Sequence, residues 1–156
     1  MSKPVYLTKE RLLEIEKELN DLKKNGRKEV ADRIAEARSH GDLSENAEYD
    51  AAKEEQGKLE MKIGKLEEML SRAQVINKTQ NEDGKVKILS TVTVKNHKNN
   101  KTFTYTLVSP EEADLQQGKI AITSPVGQAL MGKKEGEITN AQVPAGTIKF
   151  EILKVE

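Results

Sequence analysis

The sequence predicts an α+β protein: an N-terminal antiparallel α-helical coiled-coil hairpin followed by a small β-rich domain. Two observations along the chain carry this. Up to Val75-Ile76 the residues are rich in Glu, Lys, Leu and Ala, with apolar positions at helical spacing. Beyond that point Val, Ile, Thr and Tyr alternate with polar residues between Gly- and Asn-rich turns. Composition supplies a third. Of 156 residues, 33% are charged, only 35% are apolar and 3% are aromatic, which is lean for a compact globule and suits an element with much surface.

The helical half begins at Thr8, a residue type that caps helix N-termini. Leu12, Ile15, Leu19 and Leu22 then step by three and four residues, the seam of a coiled coil. The seam resumes at Val30, Ile34 and Ala37, one residue out of phase with a heptad continuation. Asn25-Gly26 falls in the gap, so a kink or break is expected near Gly26. The pattern stops at Ser39-His40-Gly41, restarts after Asp42-Leu43-Ser44, and runs through Ala52, Leu59, Ile63, Leu66 and Leu70. Two such stripes joined by a short connection hide from water by facing each other, so residues 8–76 form one hairpin with its turn at 40–44. Arms of about 30 residues at ~1.5 Å rise project roughly 45 Å. The expected domains are therefore 1–76, with a tip at about 40–50, and 77–156.

In the second half, strands are expected at Val86–Lys95, Thr102–Leu107, Ile120–Thr123, Glu137–Gln142 and Thr147–Val155. Asn96–Lys101 reads as a hairpin turn. Ser124-Pro-Val-Gly-Gln-Ala-Leu-Met131 reads as a short helix with Ser124 at its N-cap and Pro125 in its first position.

Several classes are excluded or disfavoured. Lys+Arg and Asp+Glu balance at 26 each, so no global basic field marks a free-standing nucleic-acid binder. The absence of cysteine removes disulfides, thiolate nucleophiles and zinc ribbons. No apolar run approaches the ~20 residues of a membrane span, and the first residues lack a signal-peptide core. A soluble cytoplasmic protein is expected, with no membrane partner and no small-molecule substrate.

The tip is chemically distinct. From Ser39 to Ala52 there are four carboxylates, Asp42, Glu45, Glu48 and Asp50, and no Lys or Arg, while Arg33, Arg38 and Lys53 stand just outside. Helix capping by Asp42-Leu-Ser-Glu45 accounts for one or two acids. A calcium loop starting at Asp42 fails, because Ala47 stands where glycine is needed and Lys53 where a bidentate Glu is needed. Two carboxylates on an exposed turn leave Mg²⁺ mostly hydrated, so a tip that works on metal needs a partner already holding it.

The segment Glu36-Ala-Arg-Ser-His-Gly-Asp-Leu-Ser-Glu-Asn-Ala-Glu-Tyr-Asp-Ala-Ala-Lys53 resembles the tip signature of the GreA/GreB transcript-cleavage factors. The resemblance continues through Ala73-Gln-Val-Ile76, Glu112-Ala-Asp114, Ser124-Pro125, Leu130-Met-Gly-Lys133 and Phe150-Glu-Ile152, and so covers nearly the whole chain. It implies a non-enzymatic factor whose partners are RNA polymerase and the nascent RNA 3′ end. The coiled coil would enter the polymerase secondary channel and stimulate the polymerase's own cleavage of backtracked RNA. Asp42 and Glu45 match the family's acidic pair, which helps hold a Mg²⁺ shared with the polymerase and orients the attacking water. The chain would have no cofactor of its own. Arg38, Ser44, Asn46, Tyr49 and Lys53 are further candidates for contact with polymerase or RNA, with purely structural roles equally open; Tyr49 could brace the turn or stack. His40 reads as a turn residue.

The resemblance also implies an FKBP-like C-terminal domain that docks on the polymerase, with Ser124 and Pro125 at that surface. Two alternatives follow from it: a peptidyl-prolyl isomerase or chaperone, and a non-catalytic polymerase inhibitor of the same fold. Phe103, Tyr105 and Phe150 are the only aromatics of the second half, too few for an isomerase pocket. The intact Asp42/Glu45 pair argues against the inhibitor.

Overall fold

The computed structural model describes residues 3–40, 47–76 and 83–156. The expected tip residues Asp42, Ser44, Glu45 and Asn46 lie outside the described residues. The chain divides into two units, one comprising Met1–Lys3 and Glu10–Ala73, the other Pro4–Lys9 and Gln74–Glu156.

The first unit is helical: α1 (Lys9–Asp21), a π-helical turn (Leu22–Gly26), α2 (Arg27–Arg38) and α3 (Ala47–Ser71). The chain does not break near Gly26, and the irregularity expected there takes the form of this wider turn. Arg27 N–H bonds to Leu22 O, five residues back, and Gly26 keeps helical angles of φ −62° and ψ −47°. A Cβ at Gly26 would stand 3.2 Å from Leu59 Cδ1, so the glycine matters for close approach of α3 and does not end the helix.

Two helices can bury only a narrow stripe. Ile15, Val30 and Ala37 on the first arm and Ala52, Ile63 and Met69 on the second are buried, while Leu12, Leu19, Leu22, Ile34, Leu59, Leu66 and Leu70 are half-buried. Cross-arm ion pairs flank the stripe: Glu18–Lys62 at 3.1 Å, Lys23–Glu67 at 3.1 Å, Arg27–Glu60 through two bonds of 2.9 and 2.8 Å, and Arg33–Glu55. All are solvent-exposed, so they select the pairing of the arms more than they add stability. No helix among the described residues is long and apolar enough to cross a membrane.

The second unit holds β1 (Val5–Leu7) paired with β2 (Ala73–Val75), and a five-stranded sheet. The sheet comprises β3 (Thr91–Asn96), β4 (Lys101–Val108), β5 (Lys119–Ala121), β6 (Ile138–Val143) and β7 (Gly146–Val155), in the order β5-β4-β3-β7-β6. Its pairs are antiparallel except β4 with β5, and β3 carries an irregularity against β7 between Thr93 and Val94. One face packs with α4 (Pro125–Leu130) around Val86, Val92, Val94, Leu107, Ile120, Leu130, Phe150 and Ile152. Full burial of such side chains contributes about 1.5–3 kcal/mol each.

The strand expected from Val86 starts instead at Thr91. Val86 is bonded elsewhere, its N–H to Lys133 O and its carbonyl to Gly132 N, both at 2.8 Å. Leu89 then adopts φ 72°, which turns the chain before it can enter the sheet. The strand expected to reach Thr123 ends at Ala121, whose carbonyl accepts from Ser124 N at 3.0 Å and Ser124 Oγ at 2.6 Å.

Candidate functional site

The acidic segment occupies the connection between the two arms: α2 ends at Arg38 and α3 starts at Ala47. The end of α2 is closed by tight local bonds, Ser39 N–H and Oγ both to Glu36 O and His40 N–H to Ala37 O. Two contacts then cross to α3. The Arg38 guanidinium carbon lies 5.9 Å from the centroid of the Tyr49 ring, within the ~6 Å range of a cation–π attraction. His40 Nε2 lies 3.5 Å from Glu48 Oε2, a charge attraction when the imidazole is protonated. Tyr49 thus lies against Arg38. Lys53 crosses nothing in this way; its Nζ bonds Gln56 Oε1 at 2.9 Å on its own helix.

Just behind these contacts lies a hollow of about 380 Å³, with Ala37, Ala51 and Ala52 among its walls and Arg33, Glu36, Glu48 and Glu55 around it. The hydrogen bond and charge of Glu55 raise the Arg33 pKa further. Three glutamates stand against one arginine around the hollow, so it is net acidic. Among the described residues no group of three or more His, Cys, Asp or Glu side chains could hold a metal ion.

The second unit carries an apolar groove of about 330 Å³ whose walls include Tyr105, Leu115, Ile120, Ser124, Pro125 and Val126. Local chemistry builds both rims. Asp114 Oδ1 accepts from Gln116 N–H at 3.0 Å and Oδ2 from Gln117 Nε2 at 2.9 Å, closing a short 3₁₀ turn that leaves Leu115 80% exposed. Gly118 at φ 71° ends that turn in a left-handed conformation that favours glycine. Opposite, Ser124 Oγ accepts from Gly127 N–H at 3.0 Å and Pro125 opens α4, as the Ser-Pro pair predicts. Ser124 and Pro125 are thus brought together with Leu115 and Tyr105. Sequence reasoning missed these last two, although Asp114-Leu-Gln-Gln-Gly118 is a turn signal with an apolar residue at its head. Burial raises the Tyr105 phenol pKa, and its ring stacks on Phe103 at 6.0 Å.

Comparison with known proteins places both units. Residues 5–75 match the family model "Transcription elongation factor, N-terminal", and residues 80–156 match "Transcription elongation factor, GreA/GreB, C-term". The chain is 54% identical over 155 residues to the transcription elongation factor GreA of Amoebophilus asiaticus, covering 99% of each chain. It is 52% identical to that of Flavobacterium johnsoniae, over 99% of this chain and 98% of the other. Among solved structures, that of the transcription factor Gfh1 aligns over 100% of this chain and 99% of its own, with 26% identity and a TM-score of 0.50. The chain belongs to the GreA/GreB family of transcription elongation factors.

Proposed function

We propose that this protein stimulates RNA polymerase to cleave the 3′ end of backtracked nascent RNA. The reading rests on one observation: an acid-rich connection without Lys or Arg joins the two arms of a helical hairpin, and of the cations beside it Arg38 lies over Tyr49, Arg33 pairs with Glu55 and Lys53 bonds Gln56. Asp42 and Glu45 on that connection would supply carboxylates to hold a Mg²⁺ shared with the polymerase and would accept a hydrogen bond from the attacking water. Held there, the metal would supply charge stabilisation at the phosphodiester. Two carboxylates cannot complete the oxygen shell of Mg²⁺, which fits a factor with no cofactor and no catalysis of its own. Ser44 and Asn46 on the same connection contact RNA or polymerase. The groove beside Ser124 and Pro125 docks on the polymerase, so affinity and chemistry reside in different units.

The isomerase alternative gains nothing from the groove, which presents a single aromatic ring, Tyr105, among the described residues. The test uses stalled polymerase complexes carrying end-labelled RNA. Wild-type protein shortens the RNA from its 3′ end. The Asp42→Ala/Glu45→Ala variant competes with wild type for polymerase yet loses nearly all stimulation, and added Mg²⁺ restores only part of it. Full cleavage by that variant would refute the mechanism; loss of competition would make the acids docking residues.

A further inference from the structure

We infer that Arg38 and Tyr49, with His40 and Glu48 beside them, form a clamp across the base of the tip that fixes the span of the acid-bearing connection. The inference rests on the cleavage-stimulating reading above and assigns Arg38 and Tyr49 as positioning residues in place of RNA contacts. The geometry is ordered along the hairpin. His40–Glu48 at 3.5 Å stands outermost, Arg38–Tyr49 at 5.9 Å next, and the buried Ala37 and Ala52 lie behind them. Each contact joins the end of the first arm to the first turn of the second, in the antiparallel order of the ion pairs further down the stalk.

Only small side chains fill the seam at this level, so apolar packing holds the two arms together less firmly here than at Ile15 or Ile63. Without a lateral tie the arm ends would splay, and the distance between His40 and Ala47 that the connection has to span would vary. A carboxylate pair must be held close to its productive geometry to act on a reacting water. The half-buried Tyr49 ring and the guanidinium laid over it supply the tie. Lys53, which bonds within its own helix, has no part in it.

The test follows cleavage of end-labelled RNA in stalled complexes across a range of factor concentrations. Maximal rate and half-saturating concentration are read separately, and circular dichroism verifies that each variant keeps its helicity. Arg38→Gln and Tyr49→Leu should each lower the maximal rate by about three- to ten-fold with the half-saturating concentration unchanged. The double variant should be no worse than the poorer single one, because both remove the same contact. Tyr49→Phe keeps the ring face and should restore the rate. Multiplicative losses, a defective Tyr49→Phe, unaffected single variants, or an effect confined to the half-saturating concentration would each overturn the clamp while leaving the cleavage reading intact. Absence of stimulation by the wild-type protein would refute that reading, and the clamp's role with it.

Discussion

Replacing Gly127 by alanine adds one methyl group at the tightest point of the sheet unit. A Cβ there would stand 2.1 Å from Ala121 O, 3.0 Å from Ser124 Oγ and 3.1 Å from Ala121 C. Neither group can yield cheaply. The Ala121 carbonyl ends β5 and accepts two bonds from Ser124, while Ser124 Oγ caps α4. Relief requires α4 to move from the sheet by roughly 1 Å, which uncovers Leu130 and Ile120 and strains the cap. Overpacking of this kind costs about 2–3 kcal/mol, a fall in melting temperature of roughly 10–20 °C for a unit of this size. Gly57→Ala and Gly64→Ala in α3 are controls of opposite sign. Both positions are exposed with nothing within 4 Å of a Cβ, so each should gain about 0.5–1 kcal/mol from helix propensity. Calorimetric melting of the three variants beside the parent measures the difference. An unchanged midpoint for Gly127→Ala would show that the close approach of α4 to β5 is not as described, and the groove wall built on it would fall with it.

Leu115→Asp should leave melting unchanged, since the side chain is 80% exposed, but weaken competition for polymerase by about ten-fold or more; equal competition would exclude the groove as the docking surface. Arg27 lowers the Glu60 pKa, chiefly through its hydrogen bond, and Arg72 does the same to Glu68. A folded-state pKa below the unfolded one contributes stability that is present above the ordinary glutamate value of about 4.3 and is lost as pH falls through the folded value. Glu60→Gln should therefore flatten the acid-side loss of hairpin helicity below about pH 4.3, measured by circular dichroism, and an unaltered acid profile would refute the coupling. Deleting Asn25 should leave hairpin melting close to that of the parent, whereas deleting Asp32 from α2 should lower it clearly; equal losses would refute the role assigned to the π-helical turn.

The elements legible in the sequence were those with local causes. Helical periodicity marked both arms. The Asn-rich run gave the β3–β4 turn, where Asn96 and Asn99 side chains accept from Lys98 and Lys101 N–H at 2.9 Å. Ser124-Pro125 gave α4. Elements with distant causes were not legible. Strands β1 and β2 are three residues each and exist through pairing of segments far apart in the chain. Val86–Ser90 alternates like a strand, yet its hydrogen bonds run to Gly132, Lys133 and Leu107, which no local pattern records. At the tip the residue types were readable, but not that Arg38 lies over Tyr49, because eleven positions and an unknown turn separate them. The groove is similar: Tyr105, Leu115 and Pro125 carry no common motif, and only the parallel pairing of β4 with β5 brings them together.

Of the kink or break expected near Gly26, the break does not occur, for an instructive reason. A phase slip in an apolar stripe has two physical resolutions. The helix can stop and restart with a new rotation, or it can take up the extra residue in a wider turn and continue. A glycine in the gap suggests the first, because glycine lowers the cost of leaving the helix. The slip is of one residue, however, and a π turn accommodates one additional residue without losing the chain of backbone hydrogen bonds. With Leu22–Gly26 in that form, Ile15 before it and Val30 and Ala37 after it are all buried. A break would expose backbone groups at two new helix ends, whose hydrogen bonds would have to be made anew by caps or water. The wider turn avoids that cost, and the missing Cβ of Gly26 gives Leu59 of α3 room beside it. The size of a phase slip, more than the residue found in it, thus decides between a broken arm and a continuous one.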